Sequence, residues 1–389
     1  MDVVSLCSEL VKIKTENPPG NTRECAEYIG DFLESLGIGV AYTVGPEGQT
    51  NVYSINQNNP LLLCGHIDVV PALDDAWEHP PNSGLIENDW IHGRGSSDMK
   101  GGCAALLAAA KECADTEPLQ NVSFAFVCDE ENGGPWGVRR LLREKILRPC
   151  DCLLAEPTPY QAPCIGQKGL YRAKITFHGI PAHASLHPIA GTSAVMQAAE
   201  FLTQLPVLHA KEWPAPSPEI EQLLSYSAKI ASEERNQDYS KLFNHITYNP
   251  GLISGGEKDN IVAEKCQISL DFRLPWGVDI DTIEHELRTM IPATAELTRG
   301  SAAVASLTPP GSKIVTATCA SISEAYHIES RPMVQWAASD ARALRLEGIN
   351  AIEYGPGLLE TIHGINEKIS ITQLKTAVDI YRGVIRRYQ

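Results

Sequence analysis

Short apolar runs that stop at an acid or a histidine recur along the chain. Leu61-Leu62-Leu63-Cys64-Gly65 ends at His66, and the run from Asn121 to Cys128 ends at Asp129-Glu130-Glu131. A third, Cys152-Leu153-Leu154-Ala155, ends at Glu156-Pro157. Runs this short and this continuously apolar predict strands buried on both faces, as in a parallel sheet. Between them, Gly101 to Cys113 predicts a helix whose alanines and leucines imply burial. Residues 2–15 and 22–37 predict amphipathic helices on either side of the loop Asn17-Pro18-Pro19-Gly20-Asn21. Strands alternating with helices predict an α/β fold with a mostly parallel sheet up to about Gly166.

From Tyr171 the pattern changes. Arg172 to His178 alternates, Thr192 to Leu205 reads as a helix, and Ile246 to Ser254 and Glu264 to Leu274 read as strands. Ile280 to Met290 is helical again and a last strand follows near Glu296, which makes a β-α-β-β-α-β unit. This predicts a small domain over residues 170–299 inserted into a larger one formed by 1–169 and 300–389. Residues 211–245 are polar, open on Trp213-Pro214-Ala215-Pro216 and exceed what such a unit needs. They predict a surface excursion with one or two solvated helices, with closure over substrate or a wider subunit contact as the other readings.

Open α/β sheets gather ligands beyond the carboxyl ends of their strands. Three predicted strand ends therefore bring His66, Glu130-Glu131 and Glu156 to one rim. The segment Gly93-Arg94-Gly95-Ser96-Ser97-Asp98-Met99-Lys100-Gly101-Gly102 adds Asp98, and His363 lies far downstream. Two imidazoles with several carboxylates are what a pair of divalent cations and a general base require. In His66-x-Asp68 the alternation of an extended chain puts both side chains on one side. Asp68 can then accept the second ring N–H of His66 and fix its tautomer. Adjacent Glu130 and Glu131 cannot both face one ion, so one coordinates while its neighbour handles a proton; two exposed acids opening a loop is the plainer alternative.

These segments resemble the dinuclear zinc aminoacylase and carboxypeptidase family, which includes acetylornithine deacetylase, succinyl-diaminopimelate desuccinylase and glutamate-releasing carboxypeptidases. The resemblance is carried by Gly65-His66-Ile67-Asp68-Val69-Val70-Pro71, the Asp98 segment, Asp129-Glu130-Glu131 and Leu154-Ala155-Glu156-Pro157-Thr158. It continues through Gly179-Ile180-Pro181-Ala182-His183-Ala184-Ser185, Asp271-Phe272-Arg273, Ser339-Asp340-Ala341-Arg342 and Gly355-Pro356-Gly357 followed by His363.

The resemblance implies a zinc-peptidase-like catalytic domain with an inserted ferredoxin-like lid and dimerisation domain. It makes Asp98 the bridge between two metals, with His66 and Glu156 completing one site and Glu131 and His363 the other. The Asp98–Met99 bond would be cis. Glu130 becomes the general base and Asp68 the partner of His66. His183 would serve the active site of a partner subunit in a homodimer, Arg273 would clamp a substrate carboxylate and Asn260 would touch substrate. Mixed nitrogen and oxygen donors suit two Zn²⁺, with Co²⁺ or Mn²⁺ as substitutes. The Ser96-Ser97-Asp98-Met99-Lys100 form resembles the deacetylase and desuccinylase branch, which removes an acetyl or succinyl group from an amino acid with a free carboxylate. A carboxypeptidase or dipeptidase with the same centre, and a non-catalytic binding protein retaining the fold, are the competing readings.

Composition narrows the partners. A chain of 389 residues with 43% hydrophobic content and a formal charge of −16 reads as an ordinary globular protein. The acidic balance argues against nucleic acid or an anionic membrane as partner. The opening Met1-Asp2-Val3-Val4-Ser5 shows no basic, then apolar, signal pattern. No apolar run approaches the roughly 18 residues of a membrane span. Eleven cysteines in a chain too large to need staples read as free thiols in a reducing cytoplasm. His79, His92, His178, His187, His209, His245, His285 and His327 have no ligand context in the sequence and read as structural or surface residues.

Overall fold

The computed structural model describes residues 2–72 and 76–389, which divide into two compact units. Unit 1 takes Met1–Ile165, Leu307–Met333 and Ser339–Gln389; unit 2 takes Gly166–Ser306 and Val334–Ala338.

Unit 1 is organised by a sheet in the order Val40–Val44, Thr50–Ser54, Val122–Val127, Leu61–His66, Asp151–Leu154, Asn350–Glu353, continuing through Cys164–Gln167 and Ser306–Leu307. The four strands from Val122–Val127 to Asn350–Glu353 run parallel, with Cys64 opposite Ala125 on one side and Leu154 on the other. Pleating divides their side chains between two faces. Leu62, Cys64, Ala125, Val127, Cys152, Leu154 and Ala351 pack with Val138, Leu141, Leu344 and Ile349 into one core. Leu61, Leu63, Phe124, Phe126 and Leu153 point the other way and are fully buried. On that side lie the helices Lys100–Ala114, Lys313–Tyr326 and Ile371–Arg386. Each such side chain contributes about 1.5–3 kcal/mol on burial, so the strand ends are anchored from both faces.

The helix Lys100–Ala114 approaches the sheet unusually closely. A Cβ at Gly102 would collide with the Ala155 carbonyl, and one at Gly101 with the Ser96 carbonyl. Glycine at both positions lets the helix start beside the strand end that carries Glu156.

Unit 2 has a four-stranded antiparallel sheet in the order Thr247–Gly255, Lys265–Leu274, Gly169–His178, Glu296–Ala303. Helices Ala194–Ala210 and Ile280–Met290 lie on it, and their connectivity is β-α-β-β-α-β. Alternate residues Cys266, Ile268, Leu270, Phe272 and Leu274 meet Phe201, Leu205, Ile283 and Leu287 in its core.

The stretch 211–245 departs from expectation. Its main element, the helix Pro218–Arg235, is docked rather than solvated, burying Leu223, Leu224, Ala228, Ile230 and Ala231. Ser227 Oγ donates to the Leu223 carbonyl at 2.7 Å and accepts from the Val334 N–H at 2.9 Å. The charges of Glu219, Glu221, Glu233 and Glu234 make the segment look polar, but they lie off an apolar stripe at three- and four-residue spacing. No helix among the described residues is long and apolar enough to cross a membrane. No disulfide forms among the described residues.

Candidate metal centre

The parallel strands deliver their end residues to one place. His66, the last residue of its strand, is buried, and its Nε2 lies 3.0 Å from Asp98 Oδ1 and 3.7 Å from Glu156 Oε1. The other oxygen of Asp98 lies 3.3 Å from His363 Nε2, which is in turn 3.0 Å from Glu131 Oε2. Asp98 thus belongs to two three-donor clusters, His66–Asp98–Glu156 and Asp98–Glu131–His363, each with its donor atoms within 4.8 Å of one another. The Asp98–Met99 peptide is cis. His363 adopts a left-handed backbone (φ 61°), uncommon for a residue other than glycine.

Asp68 is arranged differently from the expectation. The Nδ1 of His66 is hydrogen-bonded to the main-chain carbonyl of Asp68 at 3.0 Å, while the Asp68 carboxylate stands off at 3.6 Å. That carboxylate accepts instead from the backbone N–H groups of Glu130 and Glu131, both at 3.2 Å, and from Asn17 Nδ2 at 2.9 Å. The main chain therefore fixes the His66 tautomer, leaving the side chain to hold the loop that carries both glutamates.

Three further residues were not legible as part of the site. Asn17 also donates to Asp129 Oδ1 at 3.1 Å, tying the loop after the first helix to the glutamate loop. Glu367, fully buried, accepts from the N–H groups of Ser97 at 2.9 Å and Asp98 at 3.1 Å. Its other oxygen pairs with Arg94, which is also buried. Glu367 carried no sequence signal beyond lying four residues after His363.

The electrostatics test whether cations fit. Burial pushes the Glu130, Glu131 and Glu156 carboxyls above the usual range. Burial also opposes ionisation of Asp98, but hydrogen bonds from His363 and His66 outweigh it and hold Asp98 low. For His66, burial favours the neutral ring, yet Glu156 and Asp98 raise it well above the ordinary value. His363 is raised to about 10 by its hydrogen bonds to Asp98 and Glu131. The cluster holds more negative charge than its imidazoles balance, and protons take up the deficit. Glu131 Oε1 is buried with no hydrogen-bond partner, an orphan that a bound cation would satisfy. Nitrogen and carboxylate donors in two sets sharing one aspartate match divalent metal chemistry. The Glu130 carboxyl belongs to neither cluster and makes no hydrogen bond among the described residues.

In unit 2, His183 is exposed, and its Nδ1 accepts from the Ser185 N–H at 3.3 Å, which leaves Nε2 as the donor. Asn260 lies beside it: its carbonyl accepts from the Ala184 N–H at 3.1 Å, and Ile261 pairs with His183. Arg273 is half-buried and donates through Nε to Asp271 Oδ1 at 2.8 Å and through Nη2 to Oδ2 at 3.4 Å.

Comparisons with known proteins show what the chain is similar to. A succinyl-diaminopimelate desuccinylase of Sulfurovum sp. (strain NBC37-1) is 27% identical over 399 residues, covering 100% of this chain and 99% of the relative. The M20 family metallo-carboxypeptidase Sso-CP2 from Sulfolobus solfataricus shares the fold with a TM-score of 0.79 at 21% identity, over 100% of this chain and 99% of that one. The aminopeptidase PepT from Bacillus cereus ATCC 10987 follows at 0.76 and 18%, over 99% and 98%. The model of peptidase family M20/M25/M40 matches residues 62–387. The chain belongs to that family and is a metal-dependent hydrolase of amide bonds, of a kind in which a dinuclear centre is typical.

Proposed function

We propose that this enzyme removes an acetyl or succinyl group from the nitrogen of an amino acid bearing a free carboxylate. The observation that carries the mechanism is the unbonded Glu130 carboxyl beside two three-donor clusters sharing Asp98. The choice of substrate rests on full-length relatives named succinyl-diaminopimelate desuccinylase, at 26–27% identity.

His66, Asp98 and Glu156 would hold one divalent cation, and Asp98, Glu131 and His363 the other, with Zn²⁺ first and Co²⁺ or Mn²⁺ as substitutes. Such a pair supplies Lewis acidity toward the substrate carbonyl and eases the deprotonation of water. Glu130 takes a proton from the attacking water as the oxygen–carbon bond forms, then passes it to the leaving nitrogen as the carbon–nitrogen bond breaks. A carboxyl raised by burial suits both halves of that transfer. Asp68 acts through the Glu130 and Glu131 backbone and keeps the base in place.

The family resemblance supports the following roles for the unit 2 residues. His183, donating through Nε2, would stabilise the developing oxyanion in a partner subunit of a homodimer formed through unit 2. Arg273, oriented by Asp271, would pair with the substrate carboxylate, and Asn260 would contact substrate. Eleven cysteines in a chain too large to need disulfide staples support a reducing, cytoplasmic setting.

The test is a turnover screen of N-succinyl-diaminopimelate, acetylornithine, acetyl-lysine and a set of dipeptides with added Zn²⁺ or Co²⁺. The proposal expects an N-acyl amino acid to have the highest kcat/KM. Preference for a dipeptide would replace it with the peptidase reading.

A further inference from the structure

His79 and His92 look like isolated surface histidines in the sequence, but in unit 1 they converge with Glu87. The strands Leu85–Glu87 and Trp90–His92 pair antiparallel, with Leu85 opposite His92 and Glu87 opposite Trp90. Pleating therefore puts Glu87 and His92 on one face as diagonal neighbours, while Ile91 faces the interior and is fully buried. His79 reaches the same face from the preceding loop. Its ring meets that of His92 edge-on, with centroids 4.8 Å apart, and its Nε2 lies 3.8 Å from Glu87 Oε2. One donor atom from each of the three residues falls within 4.8 Å of the others.

We propose that His79, Glu87 and His92 form a third metal site, separate from the Asp98 centre, that takes a borderline divalent ion such as Zn²⁺, Co²⁺ or Ni²⁺.

Three features favour a cation over a plain surface cluster. The His79–Glu87 separation exceeds hydrogen-bond distance, so the groups do not satisfy one another. No hydrogen bond among the described residues engages either imidazole. Lys368, the cross-strand neighbour of His92, has its ammonium 4.6 Å from the Trp90 ring and is the one nearby charge among the described residues that opposes a cation here. Two imidazoles and one carboxylate with open positions for water is a zinc-type set, and its nitrogen content selects against Ca²⁺ and Mg²⁺.

The site has a structural consequence. The loop that carries His79 is fastened at Glu78, whose N–H donates to Asn366 Oδ1 at 2.8 Å, and Trp77 lies 5.3 Å from the Arg94 guanidinium. An ion bound at His79 adds a third fastening to this loop, tying it to the Leu85–His92 hairpin.

The experiment titrates Zn²⁺ against a chromogenic chelator into wild type, the double variant His79→Ala/His92→Ala, and Glu87→Gln. Counting is by difference, so the result stands whatever the Asp98 centre holds. The double variant should bind one equivalent fewer than wild type, with unchanged hydrolytic activity and an unchanged melting temperature after chelator treatment. Glu87→Gln should weaken that same equivalent on the order of tenfold. An equal number of equivalents in wild type and in a double variant that melts normally would overturn the proposal. Should the double variant melt early, Glu87→Gln decides: unaltered affinity for every equivalent is then the contrary result.

Discussion

Glu367 accepts the backbone N–H of Asp98 at 3.1 Å, although the two residues are separated by 269 positions in the chain. Through this bond and the one from Ser97, the segment following His363 holds the loop that presents Asp98. Arg94 completes the arrangement by neutralising Glu367 inside the protein. Removing one partner strands the other charge in a buried setting, which costs about 3–5 kcal/mol. Glu367→Ala should therefore lower stability in chemical denaturation by about that amount and reduce bound metal. A variant with wild-type stability would show that Glu367 does not hold the loop.

The proposed function gives Glu130 proton transfer rather than metal binding. Glu130→Gln keeps the size of the side chain and removes the base, so turnover should fall by about 10²–10⁴-fold. Metal content should stay at the wild-type level. Unchanged turnover would move the base elsewhere.

In the proposed mechanism Asp68 and Asn17 act on the position of that base. Asn17→Ala removes donors to both Asp68 and Asp129 and leaves buried acceptors short of a partner, at a cost of about 1–3 kcal/mol. The expected signature is a lower kcat with little change in KM. A change confined to KM would instead place Asn17 in substrate binding.

Metal-free protein should show a pH signature from His363. Its pKa is raised from 6.5 to about 10 by hydrogen bonds to Asp98 and Glu131. A base raised on folding holds its extra proton in the folded state. Its stabilising effect is complete below the ordinary value and is lost as pH climbs through the raised one. Between those limits, chelator-treated wild type should lose stability relative to chelator-treated His363→Ala in thermal melts. A bound divalent cation competes with that proton, so metal affinity should rise across the same window. Parallel melting curves for the two stripped proteins would show that His363 carries no such proton.

The parts of this molecule that were legible in its sequence are those where one residue carries its own signal. An apolar run ending at His66 or Glu156 announces both the strand and the place of a donor side chain in the candidate cluster, because the pleat and the sheet edge are local consequences of pattern. Asp98 stands in a glycine-rich segment whose glycines at 101 and 102 are required by close helix–strand approach. The supporting contacts were less visible because they depend on tertiary proximity. Asp68 looked like a partner for the His66 ring, since alternation puts them on one side, yet the nearer main-chain carbonyl wins that hydrogen bond. Glu367 and Asn17 act on residues far away in the chain. The helix Pro218–Arg235 was misread as solvated because its charges masked an apolar stripe. His79 and His92 lacked context until a hairpin brought Glu87 and His92 to the face that His79 reaches.

The most direct test of the dinuclear account is anomalous diffraction at the zinc edge from crystals of zinc-loaded protein. Two peaks should flank Asp98, one contacted by His66 and Glu156 and the other by Glu131 and His363. Zinc-saturated crystals showing no peak beside Asp98, or one on only one side of it, would contradict the account.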